Sequence, residues 1–315
     1  MTIKLGVVMD PIQSIHFKKD STLAMLFAAA ERKWEIYYFE QKDLFVRDGH
    51  AFGLGSLLQV YQDATRWFAK ENKHCMALKE LNVLLMRKDP PFDQEYIYTT
   101  YILEHAEREG VLVMNKPRGL RDANEKFFTT EFPQCCPATL VTRRMDLLKE
   151  FFQQQQDIVC KPLEAMGGTS VFRVKPGDVN ANVIFEMLTQ NETQYIMAQR
   201  FIPAIEQGDK RLLLIDGEPI PFALVRKPGE GEWRGNLARG ASGYAEPLTT
   251  RDDDICQQVG PVLRQKGLYF VGLDVIGDFL TEINVTSPTG IRELDEQCQL
   301  NIGGQFLDCV LRYLG

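Results

Sequence analysis

The chain predicts an α/β fold: an N-terminal open parallel sheet with helices on its faces, then a central unit, then a C-terminal α+β unit. Three observations predict it. Short aliphatic runs alternate with helical stretches over the first ~120 residues, the β-α-β rhythm of a parallel sheet. Lys116-Pro117-Arg118-Gly119 interrupts that rhythm like a boundary. A hairpin pattern near the end, Val271 to Val285, sets two carboxylates and an amide among apolar residues.

Lys4 to Met9 reads as the first strand, and Asp20-Ser21 caps a helix running to about Arg32. Glu35 to Phe39, Val83 to Met86 and Val111 to Met114 are further strands. A helix from about Asp93 to Glu109 joins the last two. Residues 43–75 are irregular, with more short strand-like pieces than helix. The central unit opens with helices at Asn124 to Glu131 and Arg144 to Gln156. Strands follow at Ile158 to Pro162, Ser170 to Val174 and Tyr195 to Arg200, with a helix over 181–189. The last unit has strands near 209–215 and 218–226, then a Gly-rich loop over 228–243. A helix from Asp252 to Lys266, the hairpin and a terminal helix to Tyr313 complete it. Asp252-Asp253-Asp254 fits an acidic first helical turn, where the dipole favours negative charge. The expected domains are 1–121, 122–202 and 203–315.

The hairpin turns at Gly277-Asp278. A two-residue turn would set Asp274 opposite Thr281 and send Glu282 and Asn284 to the other face. A three-residue connection gathers Asp274, Glu282 and Asn284 on one face and leaves the other almost wholly apolar. That register segregates polar from apolar, so it is the expected one. Three oxygen donors on one surface suit a hard cation such as Mg²⁺, which binds alongside substrate phosphates. A solvated face with scattered acids is the competing reading.

With 315 residues, 44% hydrophobic and 25% charged, the chain can bury a large core split among domains. A net charge of −7 argues against a nucleic-acid partner. No apolar run reaches the roughly 18 residues of a membrane span, and a chain that starts directly on a strand argues against a signal peptide. The seven cysteines form no C-x-x-C pair, which fits a reducing cytoplasm. His16, His50, His74 and His105 form no spaced pair and receive no catalytic role.

Neither a Walker A nor a G-x-G-x-x-G motif is present. Lys161, at a strand end, precedes Met166-Gly167-Gly168. Adjacent glycines let backbone N–H groups approach phosphate oxygens, and the lysine supplies positive charge. Gly-Gly is also an ordinary hairpin turn. The loop over 228–243 holds Trp233, Arg234 and Asn236, which favours a lid over a plain linker.

Several runs, in order, resemble the ATP-grasp ligases, and within them the bacterial glutathione synthetases. They are Lys4 to Pro11, Lys18 to Ser21, Arg87-Lys88-Asp89-Pro90-Pro91-Phe92-Asp93, Asn115-Lys116-Pro117 and Leu120 to Lys126. Lys161-Pro162, Gly208 to Arg211, Arg234 to Ala238 and Thr281-Glu282-Ile283-Asn284-Val285-Thr286-Ser287-Pro288-Thr289 follow. The resemblance implies a cytoplasmic homotetramer that joins γ-glutamylcysteine to glycine with ATP and Mg²⁺, with two ions and Mn²⁺ as a possible substitute. It implies that Lys126 and Lys161 hold ATP phosphates and that Gly167 and Gly168 cover them. Gln199, Arg200, Phe201 and Ile202 would face adenine, and Asp209 the nucleotide. Asp274, Glu282 and Asn284 match the metal ligands. Arg211, Arg234 and Asn236 would serve catalysis, and Arg87, Arg226, Ser287 and Thr289 the substrate. The chain departs from the family pattern at Arg239 to Gly243 and at Gly290. Another ATP-grasp carboxylate–amine ligase, of the D-alanine–D-alanine or glutamate-adding type, and a non-catalytic ATP-binding module are the alternatives.

Overall fold

The computed structural model describes residues 2–164, 169–227, 229 and 242–315. Strand β1 (Lys4–Met9) leads into helix α1 (Ser21–Glu31), whose first turn is capped by the Asp20 carboxylate accepting from Leu23 N at 2.6 Å. Then come β2 (Glu35–Phe39), β3 (Leu44–Arg47), β4 (His50–Val60), β5 (Phe68–Lys70), β6 (His74–Ala77) and β7 (Val83–Arg87). Helix α2 (Gln94–Arg108), capped by Asp93, and β8 (Leu112–Met114) complete the first sheet. Its order is β3-β4-β2-β1-β7-β8, with β5 and β6 also pairing with β4. The expected parallel sheet is present as β2-β1-β7-β8. The stretch expected to be irregular supplies an antiparallel extension, β4 pairing with β2, β3, β5 and β6.

Helix α3 (Pro117–Asp122) occupies the expected boundary, with proline at its first turn. The helix expected from Asn124 to Glu131 is instead a 3₁₀ turn over Phe127–Glu131. The Asn124 side chain accepts from Lys126 N and Phe127 N, and Pro133 blocks continuation. The central sheet comprises β9 (Thr139–Thr142), β10 (Ile158–Pro162), β11 (Phe172–Val174) and β12 (Ile196–Arg200), in the order β11-β10-β12-β9. Helices α4 (Met145–Gln155) and α5 (Ala181–Thr189) pack on it around Leu148, Ile158, Cys160, Phe185 and Ile196.

The third sheet contains β13 (Asp209–Ile215), β14 (Glu218–Lys227), β15 (Ser242–Pro247), β16 (Phe270–Ile276) and β17 (Phe279–Asn284). Its order is β15-β14-β13-β16-β17. Helix α6 (Thr250–Lys266) starts two residues before the expected Asp252. Asp252 and Asp253 do lie in its acidic first turn, and Asp252 is in addition fully buried, closes a capping box with Thr249 and pairs with Lys210. Helices α7 (Ile291–Cys298) and α8 (Ile302–Leu314) end the chain. The first and third sheets share their cores. One joins Val8, Leu84 and Met86 to Leu212, Leu273 and Ile283, and the other joins Leu5, Leu26 and Met114 to Leu213, Phe270 and Phe306.

The hairpin corrects one expectation and keeps its consequence. Ile276 pairs with Phe279, so the turn has two residues, with Gly277 at φ +56°. The register then shifts: Val275 opposes Leu280, but Asp274 opposes Glu282 and Gly272 opposes Asn284. Thr281 is the extra residue of a bulge, and its hydroxyl donates to Asp274 O at 3.1 Å. Beyond the bulge the register is that of a three-residue connection. Asp274, Glu282 and Asn284 therefore share a face.

Candidate active site

The third sheet sets Asp209, Arg211 and Arg226 on that face beside Asp274 and Glu282. Asp209 lies opposite Arg226, and Arg211 opposite Asp274. Gly272 leaves the space Arg211 occupies, since a Cβ there would meet Arg211 Cδ at 2.8 Å and Pro288 Cβ at 3.0 Å. Arg211 grips Asp274 in bidentate fashion, Nε to Oδ1 at 2.5 Å and Nη2 to Oδ2 at 3.1 Å. Arg226 Nη2 reaches Asp274 Oδ1 at 3.1 Å and Asp209 Oδ2 at 2.6 Å. Arg211, Arg226 and Asp274 are all buried. Burial alone would raise the Asp274 carboxyl, but the two guanidinium groups outweigh it and hold the group well below the usual carboxylate range. Asp209 behaves oppositely. Burial pushes it up to about 7 despite Arg226, and its Oδ1 is buried with no hydrogen-bond partner among the described residues.

Two lysines approach from outside this sheet. Lys126, in the segment after α3, pairs with Glu282 Oε1 at 2.9 Å. Burial pulls its ammonium down, but Glu282, with Glu125 and Asp274, outweighs burial and leaves it above the ordinary lysine value. Lys161, at the end of β10, donates to Thr281 O, on the bulge, at 3.1 Å. Burial lowers it to about 8, against the pull of Glu282. Asn284 donates its amide to Gly272 O at 3.4 Å.

The substrate candidates meet at the loop after β17. Buried Arg87 lies over the Phe270 ring and donates to Thr22 Oγ1 at 3.1 Å and to Pro288 O at 2.9 Å. Arg211 Nη1 reaches Thr289 O at 3.3 Å, and Ser287 hydrogen-bonds the Asp89 carboxylate. The candidate adenine residues lie at the other end of the hairpin. Gln199 donates to Thr139 Oγ1 at 3.0 Å, Arg200 lies over Phe279, and Phe201 lies under Arg173. Ile202 Cγ2 lies 4.0 Å from where a Gly277 Cβ would sit. Gly167, Gly168, Arg234 and Asn236, with most of the expected lid, lie outside the described residues.

Among the described residues there is no group of three or more His, Cys, Asp or Glu placed to hold a metal ion. The candidate set is two carboxylates and an amide. All three offer oxygen, and the guanidinium groups of Arg211 and Arg226 keep the Asp274 carboxylate in the ionised form a metal needs. The donors would suit a magnesium ion bound together with substrate phosphates.

Sequence reasoning assigned no role to two residues that organise this site. Buried Asn115 makes four hydrogen bonds, donating to Phe270 O and Val285 O at 2.9 Å each and accepting from Tyr269 N at 2.6 Å and Phe270 N at 2.8 Å. Glu125 accepts from Val285 N, Thr286 N and the Thr286 hydroxyl. Both lie in runs that carry the family resemblance, but an amide or acid between elements gives no periodicity to read.

This architecture recurs in solved ATP-grasp structures. D-cycloserine synthetase DcsG superposes with a TM-score of 0.69 at 11% identity, covering 99% of this chain and 100% of that one. D-alanyl-alanine synthetase A from Vibrio cholerae gives 0.61 at 11% identity, covering 99% and 98%. The fold is that of the ATP-grasp ligases. Two family descriptions match the sequence: prokaryotic glutathione synthetase, N-terminal domain, over residues 3–121, and its ATP-grasp domain over 125–299. Glutathione synthetase of Pseudomonas aeruginosa is 56% identical over 314 residues, spanning 100% of this chain and 99% of that protein. The Coxiella burnetii enzyme is 55% identical over 307 residues, spanning 98% and 96%. The chain belongs to the prokaryotic glutathione synthetase family.

Proposed function

We propose that the polar face of the β16–β17 hairpin, with the cations around it, is the centre at which this chain makes glutathione from γ-glutamylcysteine, glycine and ATP. One observation carries the assignment. Asp274, Glu282 and Asn284 share a face onto which Arg211, Arg226, Lys126 and Lys161 converge from three separate parts of the chain.

A carboxylate does not acylate an amine at neutral pH, because its oxygen is a poor leaving group. Transfer of the ATP γ-phosphoryl group to the cysteinyl carboxylate gives an acyl phosphate and ADP. The glycine amine attacks the acyl carbon, the C–O bond to phosphate breaks, and the amine gives up a proton. Positioning and charge compensation are the protein's part in such chemistry. Lys126 and Lys161 face the phosphates, and Arg211 offsets charge on the acyl phosphate. Arg87, Arg226, Ser287 and Thr289 hold γ-glutamylcysteine. Residues 199–202 line the adenine and Asp209 the nucleotide. Asp274, Glu282 and Asn284 would hold the divalent cation, which neutralises phosphoryl oxygens when bound. Two magnesium ions, replaceable by manganese, are the number that the family resemblance implies. Gly167, Gly168, Arg234 and Asn236 keep the roles that the family resemblance gives them.

The division proposed is 1–121, 122–202 and 203–315, supported by one sheet in each, although only the middle unit has a core of its own and the other two share theirs. All seven cysteines are free thiols, which supports a cytoplasmic location, and a homotetramer is the proposed assembly. No helix among the described residues is long and apolar enough to cross a membrane.

A coupled assay of ADP release tests the reaction. γ-Glutamylcysteine and glycine together, with ATP and Mg²⁺, should stimulate release strongly, and neither alone should do so. No stimulation by the pair would overturn the assignment.

A further inference from the structure

We propose that Glu125 is a positioning residue for γ-glutamylcysteine, fixing the loop that carries Ser287 and Thr289. The proposal rests on the reaction assigned above. A single carboxylate oxygen, Oε1, accepts from Val285 N at 2.9 Å, Thr286 N at 3.1 Å and Thr286 Oγ1 at 2.8 Å. These are the first residues of the loop. Its far end is held by Arg87 on Pro288 O at 2.9 Å and by Arg211 on Thr289 O at 3.3 Å. The arginines at the far end are themselves candidate contacts of the reactants. Glu125 is not: its side chain is committed to the chain that leads into the loop.

The neighbouring bonds separate two effects. The backbone oxygen of Glu125 accepts from Ile283 N at 2.8 Å, and Lys126 pairs with Glu282 at 2.9 Å. Neither needs the Glu125 side chain. Truncating that side chain therefore releases residues 285–286 and leaves the phosphate-side lysine in register with β17. Such a change acts chiefly on the dipeptide substrate; on the nucleotide side it removes only the weaker coulombic support that Glu125 gives Lys126, whose ion pair with Glu282 stays. A residue that merely stabilised the fold would disturb both.

The test compares Glu125→Ala, Glu125→Gln and the wild type in steady-state assays. Glu125→Ala should raise KM for γ-glutamylcysteine about 10- to 100-fold, with KM for ATP within about twofold, as expected for losing three hydrogen bonds that place a loop. Glu125→Gln keeps an acceptor oxygen and should recover most of the loss. An unchanged KM for γ-glutamylcysteine, or an equal rise for both substrates, overturns the proposal. Should Glu125→Ala fail to fold, Thr286→Val removes one of the three donors at nearly constant shape. It should give the same selective rise at about three- to tenfold, and no rise overturns the proposal. An active wild type with an unaltered variant counts against Glu125 alone, whereas an inactive wild type overturns the reaction and this role together.

Discussion

The central sheet and the two sheets on either side of it in sequence are held together differently. β9–β12 close around a core of their own, in which Leu148, Ile158, Phe185 and Ile196 are all buried. The first and third sheets have no separate interiors, because Leu84 and Leu273 belong to one cluster and Leu5 and Phe270 to another. Described links from the central sheet to its surroundings include Lys161 on Thr281 O at 3.1 Å, Asn124 on Leu163 O at 3.3 Å and Arg200 over Phe279. The difference separates two tasks. The carboxylates proposed for the metal are fixed in a large shared core, while one phosphate-facing cation is mounted on a separately packed unit.

The largest effect should come from the shared block. Asp274→Asn removes the charge that Arg211 and Arg226 divide between them. Leaving two buried guanidinium groups undercompensated costs about 3–5 kcal/mol. Turnover should fall about 100- to 1000-fold or more. Glu282 is more exposed, so Glu282→Gln should lose Mg²⁺-dependent turnover and, because it removes the ion pair of buried Lys126, lower the urea midpoint by less than Asp274→Asn does. Wild-type turnover in either variant would remove the hairpin from the mechanism.

The next effect addresses the cores directly. Phe185→Ala should cost about 3–5 kcal/mol, confined to residues 139–200. Amide exchange should rise in β10 and β12 while β1, β7, β13 and β16 keep their protection. Leu273→Ala should instead loosen the first and third sheets together. Equal deprotection of β16 by Phe185→Ala would mean that the central core is not private.

The same contrast explains what the sequence could and could not reveal. β1, β2, β7, β8, α1 and α2 were legible because apolar period and acidic caps agree along a continuous stretch, as at Asp20 and Asp93. β9 was missed because its four residues Thr-Leu-Val-Thr include only one that is buried, too little pattern to read. β15 was missed because it begins inside a Gly-rich run and pairs only along the edge with β14. The hairpin face was legible from alternation, but the Thr281 bulge was not, since a bulge depends on what the opposite strand carries. The ion network is of the same kind. Arg211, Arg226 and Asp209 each had a proposed role, yet nothing local in the sequence says that two of them clasp Asp274.

Lys161 tests the link between the two regions through pH. Its folded-state pKa, about 8, lies below the ordinary lysine value of 10.5 because of burial. Between those values the unfolded chain holds the proton and the folded chain does not, so this group's contribution to stability improves as pH rises through the window. Phosphate attraction runs the other way, because it needs the charged form. KM for ATP should climb about three- to tenfold from pH 8 to 9. Lys161→Arg, which stays charged, should flatten that climb whatever its absolute KM. A flat wild-type profile would place the lysine in a more solvated setting than its contact with Thr281 O implies.

The smallest effect belongs to the cysteines, and it separates packing from chemistry. The attacking group in the proposed reaction is the glycine amine, so no protein thiol takes part. Cys160 is buried in the central core beside Lys161, and burial pushes its thiol up to about 12; Cys256 is likewise raised to about 12, and Cys136 and Cys309 to about 11. Such thiols are almost wholly protonated at neutral pH and react slowly with alkylating agents. Cys75, on β6, is exposed. Iodoacetamide should therefore label Cys75 first in the native protein, with turnover changed by less than about twofold, as for most surface substitutions remote from a site. Cys160→Ala should lower the stability of the central unit and still turn over once folded. A Cys75 adduct that abolished activity would show that the first sheet's edge communicates with the hairpin, through the shared core that holds both Met76 and Leu280.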